Sequence, residues 1–192
     1  SVSVGKEATT FSMVIPRDVM ETYVADVLNP LFATPRFDAD EIARLGIHMV
    51  PVRLSFGDRE YLDRVSLSSE DFYRMLSEAE EAPLTSQPPA QDFSRVYSLL
   101  TSHGYSVISV GLSQQLSGTT AAALQAAGRP DAGEVRVIDS LSATAGEGLV
   151  AIVAAEAALS GMSADEVEAL ILETIPRTRV VGVCDDLSYA VK

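Results

Sequence analysis

Apolar and polar positions change their spacing several times along the chain. After about residue 47, short runs rich in β-branched residues alternate with stretches of helical period, the signature of βα units and a parallel sheet. The runs predict strands at Ile47–Phe56, Tyr105–Leu112, Val135–Asp139 and Arg179–Cys184. The periodic stretches predict helices at Ser69–Glu80, Ala90–Ser102, Thr119–Ala127, Ser142–Ser160 and Ser163–Thr174. A serine at a cap and acids in a first turn mark several of their starts. Each of the last three strands follows a helix, so the expected fold class is α/β, with a mainly parallel sheet flanked by helices.

Two stretches break the alternation. PLTSQPP, residues 83–89, carries three prolines among polar residues and separates two helices in an extended or turn conformation. Upstream, Arg17–Leu31 has helical spacing in Val19, Met20, Tyr23, Val24, Val27 and Leu28, and Pro30 and Pro35 close it. Residues 1–36 are therefore read as a separate segment with one amphipathic helix, and 37–192 as the α/β domain. The chain begins at Ser1 without a methionine and stops at Lys192 where a helix is starting, which reads as an excerpt or a processed form.

Composition narrows the function. With 192 residues and 47% apolar content the chain can bury the core of one domain. Fourteen Lys and Arg against 27 Asp and Glu give a net charge of −13, which repels phosphate backbones and anionic lipid headgroups and argues against nucleic acid as a partner. One cysteine, Cys184, excludes a disulfide framework and a multi-cysteine metal site within the chain. A reduced, cytoplasmic setting fits this usage. No apolar run reaches the roughly 18 residues of a membrane span, and no basic-then-apolar leader opens the chain, so stable membrane insertion is not expected.

The most specific chemistry lies in GLSQQLSGTT, residues 111–120, at the junction of a predicted strand and a predicted helix. In a parallel α/β sheet, ligands bind beyond the carboxyl ends of strands, where the next helix offers N–H groups. Ser117 is placed to cap that helix. Gly118 lets the backbone approach a ligand, and Thr119 and Thr120 add N–H and hydroxyl donors. One reading is an anion seat, the other an ordinary N-cap within loop chemistry.

Other sites fare worse. A nucleoside-phosphate loop needs Gly-Lys-[Ser/Thr], and this stretch has no lysine. A hydrolase elbow needs Gly-x-Ser-x-Gly, but GLSQQ puts Gln115 at the last position. The two histidines, His48 and His103, have no recognisable partner for a triad. EAEEA at 78–82 reads as a solvated helix end, and Asp185-Asp186 as a helix cap or a metal-leaning pair without a third ligand. The reading therefore includes no catalytic residue, no metal and no cofactor.

TSQPP at 85–89 together with GLSQQLSGTT is similar to the paired motifs of the DegV family, bacterial fatty-acid-binding proteins that include the lipid-carrying subunits of fatty acid kinase. VIDSLSATAGEG at 137–148 and VVGVCDDLSYAVK at 180–192 resemble two further family stretches, so the resemblance covers roughly 38–192. It implies a long-chain fatty acid in an apolar tunnel, with the carboxylate held by Thr85 and Ser117. Ser86, Gly118 and Thr119 are the supporting positions. Tunnel-lining residues are expected among 105–112 and 141–155. The resemblance also implies that the bound acyl carboxylate is handed to a separate fatty acid kinase catalytic subunit. Two departures stand out: LFATPRFDA replaces the family's opening strand ending in Thr-Asp-Ser, and the second family domain, expected after residue 192, is absent from this chain.

The resulting expectation is a lipid carrier that binds and presents but does not catalyse. The rival reading is a small-molecule phosphotransferase or hydrolase that uses the helix start at 117–120 for phosphate. A third is a fragment that folds and binds nothing.

Overall fold

A computed structural model describes residues 2–4, 9–11, 39–79 and 81–180. Near the amino terminus, β1 (Val2–Val4) and β2 (Thr9–Phe11) pair antiparallel. The helix expected over Arg17–Leu31 lies outside the described residues. A short helix, α1 (Ala39–Arg44), leads into the first large feature, a three-stranded antiparallel sheet of order β4-β3-β5.

Strands β3 (Arg53–Phe56) and β4 (Arg59–Leu62) form a hairpin around Gly57-Asp58. Gly57 has φ +56°, the left-handed conformation that two-residue hairpin turns favour. The strand expected over Ile47–Phe56 is thus shorter, and its partners are antiparallel. Its first half holds Pro51, which has no N–H for a ladder. Helix α2 (Ser69–Glu78) follows; Ser68 caps it by accepting a hydrogen bond from the Asp71 N–H at 3.1 Å. The proline-rich breaker then supplies β5 (Leu84–Ser86), which pairs with β3 so that Thr85 faces Leu54 and Ser86 faces Arg53 in the register.

The second feature is the parallel pair β6 (Val107–Gly111) and β7 (Val135–Asp139), connected through α4 (Thr119–Ala127). Helix α3 (Ala90–Ser102) precedes β6, while α5 (Ala145–Leu159) and α6 (Ala164–Thr174) follow β7. Side-chain alternation along the strands sorts the helices into two layers. Val107, Val135 and Val137 pack with Phe93, Tyr97, Ala122, Ala123 and Ala126 of α3 and α4. Ile108, Val110 and Ile138 pack with Val150, Ala154 and Ala157 of α5 and Val167 and Ile171 of α6. Each buried Val or Ile contributes about 1.5–3 kcal/mol, so two half-cores anchor this small sheet from both faces. The α/β class and the helix-flanked parallel pairing are as the sequence leads one to expect; the antiparallel sheet is an addition to that picture.

Helix α5 begins three residues later than its pattern suggests, because Leu141 and Thr144 take positive φ values of 50° and 53° and hold the loop open before the first turn. Helix α6 starts with a capping box, in which Ser163 and Glu166 each bond the other's backbone N–H. A single 3-10 turn, Ile175–Arg177, ends it. Of the strand expected at Arg179–Cys184, Arg179 and Val180 belong to no strand, and the rest, with Asp185-Asp186, lies outside the described residues.

Candidate functional site

The loops that leave β6 and β7 are tied together. The Ser113 N–H donates to the Ser142 carbonyl at 2.8 Å, and the Ser140 N–H to the Gly111 carbonyl at 3.0 Å. Asp139, the last residue of β7, accepts from the Leu141 N–H at 2.9 Å through one oxygen and from the Gln114 N–H at 3.2 Å through the other. Ser113 and Ser140 are buried, at 4% and 1% exposure, so these serines brace loops and do not face solvent. The aspartate-serine pair in VIDSLS is thus an organiser of the strand ends, a role that the sequence pattern did not disclose.

Within the hydroxyl cluster, the structure corrects the cap. The N-cap of α4 is Gly118, and no side chain caps the helix. The Ser117 hydroxyl instead accepts from the Thr119 N–H at 3.2 Å and shares a hydrogen bond with the Thr119 hydroxyl at 2.9 Å. A Cβ at position 118 would overlap the Gln87 side-chain amide, so Gly118 lies close against the end of that side chain. That contact brings the TSQPP segment onto the start of α4.

Thr85 and Ser86 are exposed on β5, Ser117 is half-buried, and Gly118 is exposed. The Gln87–Gly118 contact therefore joins the two motifs through their neighbours. The cation beside them in the strand register is Arg53, opposite Ser86, and it is engaged by Asp92 at 3.1 Å and Glu60 at 2.9 Å. Hydrogen bonds to these two carboxylates raise the pKa of its guanidinium. Thr120 is fully buried, and its hydroxyl donates to the Leu112 carbonyl at 2.5 Å. Gly111 is required there, since a Cβ would overlap the Thr120 hydroxyl.

A cavity of about 920 Å³ runs beside β6 between the two helix layers. This falls in the roughly 300–1,000 Å³ range of ligand pockets. It is bounded by 105–111, by Phe93, Val96, Tyr97 and Leu100 of α3, and by Thr119, Thr120 and Ala123 of α4. On the other side stands a stripe of α5 that spares space through small residues: Gly148, Ala151, Ala155 and Ala158. Of the sequence-predicted site residues, Thr119 lines this cavity, while Thr85, Ser86, Ser117 and Gly118 do not.

Glu147 also lines it, and sequence reasoning passed over this residue. In the first turn of a helix an acid reads as ordinary dipole complementation. Here burial pushes its carboxyl up to about 7. Tyr97 shows the same cause: burial raises its phenol, partly offset by the 2.8 Å hydrogen bond it donates to the Ser109 hydroxyl.

No constellation for catalysis assembles among the described residues. His103 sits at the end of α3 with its Nδ1 2.7 Å from the Leu99 carbonyl, and His48 is exposed on the cavity rim. No group of three or more His, Cys, Asp or Glu side chains among the described residues is arranged to hold a metal. No helix among them is long and apolar enough to cross a membrane.

Comparison with known proteins places these features in a family. The model described as an uncharacterised protein of the DegV family matches residues 33–192. A DegV domain-containing protein of Caldanaerobacter subterraneus is 36% identical over 151 residues, covering 78% of this chain and 53% of its own length. The solved structure of a DegV family protein from Thermus thermophilus, reported for its fatty acid binding, superposes with a TM-score of 0.66 at 32% identity, over 73% of this chain and 50% of that one. DegV of Bacillus subtilis, reported as a fatty acid binding protein, superposes with a TM-score of 0.68 at 27% identity, over 75% of this chain and 51% of its own. The chain spans about half the length of the curated relatives it matches.

Proposed function

The chain belongs to the DegV family, and we propose that it binds a long-chain fatty acid, with the acyl chain in the cavity beside β6 and the carboxylate at the hydroxyls of Thr85 and Ser117. Ser86, Gly118 and Thr119 support the head group. The observation that carries this reading is the cavity, lined by 105–111 and by the small-residue stripe of α5 and reaching the α4 start through Thr119 and Thr120. The relatives reported to bind fatty acids support it independently.

The energetics suit the division of labour. About fourteen methylenes at ~0.8 kcal/mol each offer roughly 11 kcal/mol of gross burial, so the cavity supplies affinity and the hydroxyls supply orientation. A carboxylate at a helix start gains from the dipole and from neutral donors, and Arg53, already held by Asp92 and Glu60, is not called upon. In this reading residues 37–192 form the fatty-acid domain, the second family domain completes the carboxylate end, and the cargo is presented to a fatty acid kinase catalytic subunit on which phosphoryl transfer takes place. The chain itself acts as a cytoplasmic carrier without a cofactor.

Mass spectrometry of lipid extracted from purified protein tests it, with one long-chain fatty acid per chain as the expected result. Protein that arrives lipid-free and takes up neither palmitate nor oleate overturns the reading. The head-group assignment has its own test: the Thr85→Ala, Ser117→Ala pair is expected to weaken palmitate by roughly 1–3 kcal/mol and the matching alcohol much less. Equal losses for both ligands would assign the effect to the fold. The enzyme alternative requires a base beside Ser117, whose hydroxyl is instead engaged by Thr119.

A further inference from the structure

We propose that Glu147 is a specificity-determining residue of the cavity, taking up a proton when an acyl carboxylate enters, so that neutral Glu147 is the form that binds fatty acid. The inference rests on the fatty-acid reading above and deepens it.

Placement comes first. Helix α4 starts beyond the carboxyl end of β6 and α5 beyond that of β7, so Thr119, Thr120, Thr144 and Glu147 all line the cavity at the same end of the parallel pair. That end is where the head group is assigned. Charge comes second. Among the described residues, the lining contains neither Lys nor Arg. Its other titratable groups are His48, from the segment before β3, Tyr97 of α3 and Tyr105 just before β6. Helix α4 contributes Thr119, Thr120 and Ala123, and α6 contributes Ala164 and Val167, none of which titrates in the ordinary range. The Tyr97 hydroxyl is already committed to Ser109.

Among the described residues of the lining, an entering carboxylate therefore meets an acid and no lysine or arginine. Two carboxylates in one largely apolar cavity cannot both ionise cheaply, and the pair holds one proton between them. Glu147 is the group prepared to hold it: burial alone favours its neutral form, and no hydrogen bond from a described residue reaches its carboxylate. Once protonated it is also a donor to the bound anion. A fatty alcohol carries no charge and needs no such adjustment.

Calorimetric titration of palmitate and palmityl alcohol, from about pH 5.5 to about pH 8.5, tests the linkage. Above about pH 7 the parent is expected to lose palmitate affinity by about tenfold per pH unit. Glu147→Gln is expected to abolish that loss and His48→Gln to retain it, while the alcohol binds alike at every pH. Palmitate's own titration is common to all three proteins, so the difference from the parent is the readout. A Glu147→Gln protein that keeps the parent slope, or a His48→Gln protein that loses it, overturns the proposal and leaves the carrier reading intact. Failure of palmitate and alcohol alike to bind the parent at any pH overturns both. The carboxyl carbon resonance of Glu147 gives a variant-free check: it is expected to titrate near neutrality without ligand and higher with palmitate, and a midpoint in the ordinary glutamate range of about 4.3 refutes the assignment.

Discussion

The polar loop at the end of β6 and the cavity beside it are adjacent, yet they treat their polar groups in opposite ways. In the loop, Ser113, Ser117, Thr119 and Thr120 bond one another or the backbone, and Asp139 bonds two amides at once. In the cavity, Glu147 stands on an apolar wall without such a bond from any described residue. A satisfied network is rigid and specifies one geometry, whereas an unsatisfied buried charge is costly and responsive. The loop is built to hold a shape, and the cavity to answer what enters it.

The strongest way to break this contrast is to fill the cavity and leave the loop untouched. Ala151→Trp places an indole where about five methylenes would lie, at ~0.8 kcal/mol each, and is expected to weaken palmitate about a thousandfold, or about 4 kcal/mol. Fluorescence competition would measure it, and a loss under tenfold would move the acyl chain elsewhere.

The next largest effect concerns stability without ligand. A carboxyl at about 7 in the folded chain, against an ordinary 4.5, costs nothing below about pH 4.5. The penalty grows as pH rises through 7, to about 3 kcal/mol. Urea unfolding at about pH 5 and about pH 8 is expected to show that decline in the parent relative to Glu147→Gln. Equal declines would mean that the carboxylate is solvated after all.

Two glycines sharpen the comparison from the loop side. Gly111→Ala pushes on the buried Thr120 and its bond to Leu112, so a loss of about 2 kcal/mol is expected by chemical denaturation. Gly118→Ala meets only the end of the exposed Gln87 side chain, which can swing aside, and is expected to cost below about 0.5 kcal/mol. Similar costs for the two would show that overlap alone, and not the mobility of the neighbour, sets the penalty.

What the sequence discloses follows from where each determinant sits. Ala90–Ser102, Thr119–Ala127 and Val135–Asp139 are legible to the residue, because their periodicity and boundary residues are local. The β3–β4 hairpin was also signalled, by Gly57-Asp58, but the strand after the turn, Arg59–Leu62, opens on two charged residues and is too polar to read as a strand by pattern. The cap of α4 was not legible, since it lies one residue beyond Ser117, and a boundary shift of that size leaves no mark in the pattern. Glu147 was not legible either: its position in a first turn is commonplace, and only its burial in three dimensions, with no hydrogen bond from a described residue, sets it apart.

Asp139 gives the two loops a shared fate on the timescale of amide exchange with solvent. Because one carboxylate holds the N–H groups of both Gln114 and Leu141, either amide is released to deuterium only when that carboxylate lets go or its own loop opens. An asparagine would offer a single acceptor oxygen in its place. The strand ends would then no longer breathe together, and protection would survive in one loop while it vanished from the other.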